Sequence, residues 1–575
     1  MPPNQKLTQL GIFFGFGSLV CASSVAAETI SPVTPDNRRQ LRDRPLPPTQ
    51  SPLNPDSLQP PTPESVLDIP GTIIVRQFEF VGSTVFSQEE LQRAIADFTD
   101  KPISFAQLLQ AANKITELYL QEGYLTSGAY LPAQNLNSST VKIQVLEGSL
   151  SEIEVNVTQG NLKPNYVLKR VAKATSTPLN VRQLQEALQL LQLDTRIDSL
   201  NAELSAGVSP GTNLLAVSVA AAKTFKIQTN INNIRNPSIG SFERSIGFTE
   251  ADLFGFGDRL AFTYSNTDGS DRFEGGYTFP INTNDGSVGF NYRISDNEIV
   301  ESPFDEADIQ INARDFDLNW RQPLIRQASA ESSQELALEL TASRRESDAS
   351  ILGVDSPITI EANDRGETRV SALRFSQEWL DRNRQEVFSA RSQFNVGINA
   401  FNATTNDGEA DSSFFSWRGQ LLYLRRLSAA SRIQTVGATV LLRSDLQLAT
   451  DSLLTLEQFS LGGGTTVRGY RQDTLLTDNG LFFSAEVRLP FLSFPEVGGS
   501  LQFTPFLDFG VGWNANNQET EFNTLVGTGA GLLWETEERL SARLDWGTPL
   551  VNNDNLGDNT WQENGVYFQV RYDIQ

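Results

Sequence analysis

The chain has 575 residues, more than one ordinary domain holds, and a formal net charge of -24, which argues against nucleic acid as a partner. With 39% hydrophobic residues and a mean hydropathy of -0.28 it is not a bundle of membrane helices, but a β-barrel stays open, because its lipid-facing and lumen-facing residues alternate. There is no histidine and one cysteine, Cys21, so histidine bases, Cys/His metal sites and thiol nucleophiles are absent, and we expect neither an enzyme nor a cofactor or metal.

Lys6, the apolar run Leu10 to Val25 and the small residues Ala26 and Ala27 read as a signal peptide over 1–27. Val20 before Cys21 is too large for a lipidation site. Residues 28–71 are crowded with proline and read as an extended linker. Within it, 37–44 (Asn-Arg-Arg-Gln-Leu-Arg-Asp-Arg) is a candidate for a short helix or a basic patch.

Two small α/β modules follow. Ile73 to Val81 reads as a strand. Ser87-Gln-Glu-Glu90 opens a helix carrying Leu91, Ile95 and Phe98, and Ser104-Phe-Ala-Gln107 opens a second one. Gly123-Tyr124 closes the second helix, and strands at 129–131 and 141–146 follow. The order strand, helix, helix, strand, strand recurs over 150–222, so the expected modules are 72–149 and 150–222. Their sheet edges are open to an added extended peptide.

From about 223 the period is two. Phe225, Ile227, Thr229 and Ile231 start it, Leu481, Phe483, Ala485, Val487 and Leu489 continue it, and Val566 to Ile574 end it. With about 22 residues per strand and loop, the span 223–575 predicts an antiparallel barrel of about sixteen strands. Phe279-Pro-Ile-Asn282 and Leu489-Pro-Phe491 read as periplasmic turns. The polar stretches near 296–308, 346–366, 402–412 and 514–523 read as extracellular loops.

Leu461-Gly-Gly-Gly-Thr-Thr-Val-Arg-Gly-Tyr470 interrupts the strands and follows an apolar run from Leu453. It is expected to fold back into the lumen as part of a long loop, about 447–479, with Arg468 at its tip. Leu501, Phe503, Leu507, Phe509, Val511 and Trp513 share one face, so Asp508 points inward and is a candidate bidentate partner for Arg468. Such a pair contributes on the order of 1–3 kcal/mol, enough to bias the loop's position. The glycines of Gly255-Phe-Gly257 and Gly462-Gly-Gly464 lack the Gly-Lys-Ser/Thr of a phosphate loop and read as tight turns or backbone clearance.

These motifs resemble the outer-membrane transporter (TpsB) family of two-partner secretion, the exporters of haemolysins and filamentous haemagglutinin. Tyr119 to Gln134 resembles its first POTRA domain, Asp252 to Leu260 its early barrel turn, Val467-Arg-Gly-Tyr470 its sixth-loop motif and Phe506-Leu-Asp-Phe-Gly510 the wall motif that receives the loop. The resemblance implies two tandem POTRA domains before a 16-stranded outer-membrane barrel with an inserted loop. By it, Arg468 and Asp508 form the motif pair, supported by Val467, Gly469, Tyr470, Phe506 and Gly510. It also implies capture of an unfolded exoprotein, a large β-helical adhesin or haemolysin-like partner, in a region including Gly123, Tyr124, Tyr130, Leu131 and Pro132. Export then proceeds without nucleotide. Barrel-assembly machinery is the expected partner during biogenesis, although Gln575 is not the usual terminal aromatic residue. A barrel-assembly factor of the same superfamily is the alternative, and a passive porin, which needs neither modules nor loop motif, a weaker one.

Overall fold

The computed structural model describes residues 52–53, 71–135, 139–406, 410–427, 437–515, 523–536, 539–552 and 560–574. The expected signal peptide and the patch at 37–44 lie outside them.

The first module consists of β1 (Thr72–Ile74), β2 (Gln77–Val81), helix α1 (Gln88–Ala94), β3 (Pro102–Ser104), helix α2 (Phe105–Gln121), β4 (Gly128–Tyr130) and β5 (Thr140–Leu146). Ser87 and Ser104 each accept from the third helical amide while Glu90 and Gln107 reach back, so both helix starts are capping boxes. The helix from Ser87 is shorter than its apolar spacing suggests. It ends at Ala94, and a 3-10 turn, Ala96–Phe98, carries Phe98 into the core. The three-stranded sheet runs β2-β5-β4.

The second module repeats the order with β6 (Ser149–Gln159), α3 (Pro164–Lys173), α4 (Val181–Gln192), β7 (Ile197–Ala206) and β8 (Thr212–Ala221). Its sheet runs β6-β8-β7. Val167, Val171, Leu184, Leu188 and Leu191 on the helices meet Leu200, Leu204, Leu215 and Val217 on the sheet. The linker is more than a spacer at one point. Leu53 is fully buried in this same core, and Pro52 and Leu53 lie along β7.

The rest of the chain is a closed antiparallel barrel of sixteen strands. Its first seven are β9 (Phe225–Asn232), β10 (Glu243–Glu250), β11 (Arg259–Asn266), β12 (Ser270–Pro280), β13 (Ser287–Glu298), β14 (Ile309–Ala328) and β15 (Ser332–Ile351). A two-residue spur, β16 (Val354–Asp355), precedes β17 (Glu367–Asn383), β18 (Glu386–Gly397), β19 (Phe415–Arg426) and β20 (Thr439–Ala449). A short hairpin, β21 (Phe459–Leu461) and β22 (Leu475–Thr477), lies in the loop that follows. The barrel ends with β23 (Asn479–Phe494), β24 (Gly499–Trp513), β25 (Thr524–Thr536), β26 (Leu540–Pro549) and β27 (Val566–Ile574), and β27 pairs with β9 to close it.

The wall is inside-out relative to a soluble sandwich. Phe262, Leu318, Phe503, Leu507 and Trp546 are exposed on the outer face, while Glu339, Ser343, Arg345, Gln502 and Asp508 are buried on the inner one. Two sequence expectations need correction. Leu489-Pro-Phe491 is no turn: β23 runs through it, with its pairing to β24 shifted between Pro490 and Leu492, and the chain turns at Pro495–Val497 instead. An irregularity of this kind accommodates a proline, which has no amide to give the ladder. The loops expected from 296 and 346 begin later, because strand pairing runs on to Glu298 and Ile351.

Candidate functional site

The loop between β20 and β23 folds into the barrel and is anchored at both ends of its path. Leu453, Leu454 and Leu456 lead it inward, and Phe459, Leu461, Val467 and Tyr470 form an apolar cluster with Leu475, Phe482 and Leu525. The tip is shaped by Gly462 and Gly463, both with positive φ, and by Thr466, whose hydroxyl accepts from the Gly462 amide at 2.9 Å.

Arg468 is almost completely buried. Its Nε donates to Asp508 Oδ2 at 2.7 Å and one terminal nitrogen to Oδ1 at 2.9 Å, a bidentate fork. Its backbone amide also donates to Asp508, at 3.1 Å. The other terminal nitrogen donates to Glu486 at 3.0 Å and to Asp545 at 3.4 Å. The guanidinium lies 3.4 Å from the centre of the Phe506 ring, on the inner face of β24. Ser484 donates to Asp508 at 2.7 Å, and Arg543 pairs with both Glu486 and Asp545. Arg468 is thus the loop's contribution to a wall network of three carboxylates and two further guanidinium groups, Arg543 and Arg488, the latter 3.0 Å from Glu486.

The wall is cut back where the loop lies on it. A Cβ at Gly510 would come within 2.8 Å of a Val467 methyl, one at Gly547 within 2.8 Å of the Gly469 amide, and one at Gly527 would strike the Arg468 carbonyl. Gly469 has φ +101 and donates to the Tyr567 hydroxyl at 3.0 Å. The Tyr470 hydroxyl reaches the barrel rim, 3.0 Å from Val526 O and 2.9 Å from Val551 O.

A second anchor lies on the opposite wall. Glu457 is buried between Arg345 of β15 and Arg374 of β17, with contacts of 2.9 Å and 2.7 Å. Arg345 also donates to the Leu456 carbonyl at 2.8 Å. Beyond the tip, Arg471 pairs with Glu301 and Glu563, and Asp473 accepts from Asn236 at 3.1 Å. The loop therefore bridges the lumen rather than hanging from one strand. Sequence reasoning missed Glu457, Glu486, Asp545 and Tyr567.

The early barrel turn holds the second module. Asp252 accepts from the Gly257 amide at 2.7 Å, and Asp258 from the Phe254 amide at 3.0 Å. The Lys163 amide donates to Gly255 O at 2.9 Å, and Arg196 donates to Gly257 O. Both glycines have positive φ, and a Cβ at Gly257 would meet the Tyr166 ring at 2.6 Å. Tyr166 and Arg196 converge on Asp194, with hydrogen bonds of 2.6 Å and 2.8 Å. Burial opposes ionisation of Asp194, but Arg196 and the Tyr166 hydroxyl hold its pKa down at about 2. A depressed carboxylate stabilises the folded second module, which presents Arg196 to Gly257, above its ordinary range, and that stability fades as pH falls from about 4 towards 2. A spin-label distance between the second module and the barrel should stay narrow from pH 5 to 8. It should broaden only below pH 4, where the Asp194 cluster of the second module loses on the order of 2 kcal/mol.

A vestibule of mixed polar and apolar lining opens between the second module and the periplasmic mouth of the barrel. Arg196 and Gly257 face it from one side, and Arg321, Glu335, Glu378 and Arg382 from the other. The suggested docking residues of the first module do not form one patch. Gly123 sits at the joint between modules, where its carbonyl accepts from the Val181 amide at 2.9 Å. Tyr124 packs edge-on against Tyr119, Tyr130 is exposed on strand β4, and Leu131 and Pro132 are half-buried beside it.

A family model described as "Haemolysin secretion/activation protein ShlB/FhaC/HecB" matches residues 211–533, and one described as "POTRA domain, ShlB-type" matches residues 73–148. The "Heme/hemopexin transporter protein HuxB" of Haemophilus influenzae is 24% identical over 500 residues, covering 82% of each chain. The "Outer membrane transporter CdiB" of Escherichia coli is 23% identical over 515 residues, covering 86% of this chain and 82% of the other. Among solved structures, CdiB from Escherichia coli superposes with a TM-score of 0.69 at 20% identity, covering 96% of this chain and 99% of that one. BamA from Haemophilus ducreyi lacking POTRA domains 1-3 gives a TM-score of 0.51 at 13% identity, covering 88% and 100%.

Proposed function

The chain belongs to the haemolysin secretion/activation family ShlB/FhaC/HecB, and from that membership we propose how its parts divide the work of export. It is an outer-membrane transporter of the two-partner type, with its POTRA region in the periplasm. In our reading the two modules capture the unfolded exoprotein, a large β-helical adhesin or haemolysin-like protein. The vestibule passes it to the lumen, and the loop carrying Arg468 governs passage. Barrel-assembly machinery inserts the transporter itself.

The observation that carries this reading is a closed polar lumen bridged by a loop held through buried charges at Arg468 and Glu457. A passive pore has no use for such a latch. The vestibule sets charges of both signs among apolar side chains such as Leu193 and Trp379, which suits an extended polypeptide whose side chains vary along its length.

The test is a comparison of secreted proteins from cells with and without this transporter. One large exoprotein should vanish from the medium of the deletion strain while outer-membrane barrels persist at normal levels. Normal secretion would sink the export reading, and general loss of barrel proteins would favour an assembly factor.

A further inference from the structure

The inserted loop is held by another loop as well as by the wall. Its descent into the lumen ends in a 3-10 turn, Thr455–Glu457, whose N-cap residue, Leu454, has no side-chain oxygen to offer the first amide. The acceptor comes from elsewhere. Glu361 lies in the extracellular segment 356–366, between β16 and β17, and is buried. Its Oε1 accepts both the Thr455 amide, at 3.0 Å, and the Thr455 hydroxyl. Thr455 is buried too, so loss of this acceptor leaves two donors without one. Only Leu456 separates Thr455 from Glu457, the carboxylate held between Arg345 and Arg374. A group that fixes the start of so short a turn also fixes where Glu457 can reach.

Segment 356–366 is itself rooted. Ile358 is buried against Ile239 and Ile299 of two other extracellular loops. The Asn406 side chain donates to the Glu361 carbonyl at 3.1 Å and to the Ala410 carbonyl at 2.8 Å. Between these roots Ile360 stands in solvent, 84% exposed.

We propose that Glu361 is a positioning residue for the inserted loop: it sets the Thr455 turn so that Glu457 reaches its two arginines, and segment 356–366 is thereby a clasp through which the extracellular face acts on the second anchor. This rests on the gating role given to the inserted loop above. One oxygen takes both donors, so an outward displacement of the segment withdraws both bonds together. Glu457 is then freed while Arg468 keeps its partners on β23, β24 and β26.

The test is a double-mutant cycle on the full-length protein, read as current noise in planar bilayers, with each variant first checked for a heat-resistant barrel. Glu361→Ala should raise the noise to within two-fold of Glu457→Ala. The double variant should be no noisier than Glu457→Ala alone, because a group that acts through Glu457 has nothing left to act on. Glu361→Gln keeps an oxygen that accepts both bonds and should stay within two-fold of the wild type. Thr455→Val removes the hydroxyl bond from the other side and keeps the amide bond and the volume. It should fall between wild type and Glu361→Ala, and it carries the test if Glu361→Ala does not fold. A quiet channel in Glu361→Ala or Thr455→Val, noise that adds in the double variant, or a Glu361→Gln channel as noisy as alanine overturns the inference. The expected cycle in a transporter whose deletion leaves secretion intact would keep the clasp and remove the export reading instead.

Discussion

Arg468→Ala is expected to cut export of the partner by at least about ten-fold while the barrel remains folded and heat-resistant. The substitution removes the bidentate fork on Asp508 and the contacts to Glu486 and Asp545. Glu486 and Asp545 then keep Arg543, and Glu486 also keeps Arg488, but Asp508 loses the guanidinium that pairs with it. Leaving a buried charge without its partner costs about 3–5 kcal/mol. A loop held 99:1 in one position needs about 5.5 kcal/mol to be driven to 1:99, so a loss of this size moves it well away from full occupancy. The strand ladder does not include Arg468, and so the cylinder survives. Arg468→Lys should recover little, because an ammonium cannot make the fork or stack on Phe506. Wild-type export by Arg468→Ala, measured beside equal amounts of folded barrel, would remove the latch from the mechanism.

Glu457→Ala is expected to release the other end of the loop. Arg345 and Arg374, on neighbouring strands, then lose the acid they share and keep only the more distant Asp315 and Asp317 of β14. Their repulsion adds to the lost pairing, so the cost is again several kcal/mol. The loop stays fastened by Arg468, so the expected sign is a leak rather than a block: higher and noisier conductance in planar bilayers, with export reduced less than in Arg468→Ala. Glu457→Gln keeps hydrogen-bond acceptance without the charge and should fall between wild type and alanine. A quiet channel in Glu457→Ala would show that the second anchor holds nothing that matters to the pore.

Much of this was legible in the sequence because barrel walls obey a period of two. The apolar alternation around Asp508 put its carboxylate inside, and the same parity applied to Glu486, between Ala485 and Val487, and to Asp545, between Leu544 and Trp546. Those two were findable by the signal that singled out Asp508. Glu457 was not. It sits in a leucine-rich stretch without regular period, and its meaning depends on Arg345 and Arg374, some 112 and 83 residues away in the chain. Leu53 was equally hidden, as one aliphatic residue in a proline tract whose composition signals only extension. Pro490 misled for a sound reason: proline within an alternating run argues for a turn, and only the shifted pairing with β24 shows how the strand continues.

The central claim is that the Arg468 loop resides inside the cylinder against β24. Val467→Cys with Gly510→Cys tests it most directly, because a Cβ at Gly510 would lie 2.8 Å from a Val467 methyl, so a sulfur in that methyl's place is within bonding reach of the thiol at 510. With Cys21→Ser as background, outer membranes carrying this pair should form the cross-link almost completely under mild oxidation, and neither cysteine should react with a membrane-impermeant maleimide added to whole cells. Two free, externally labelled thiols would contradict the account.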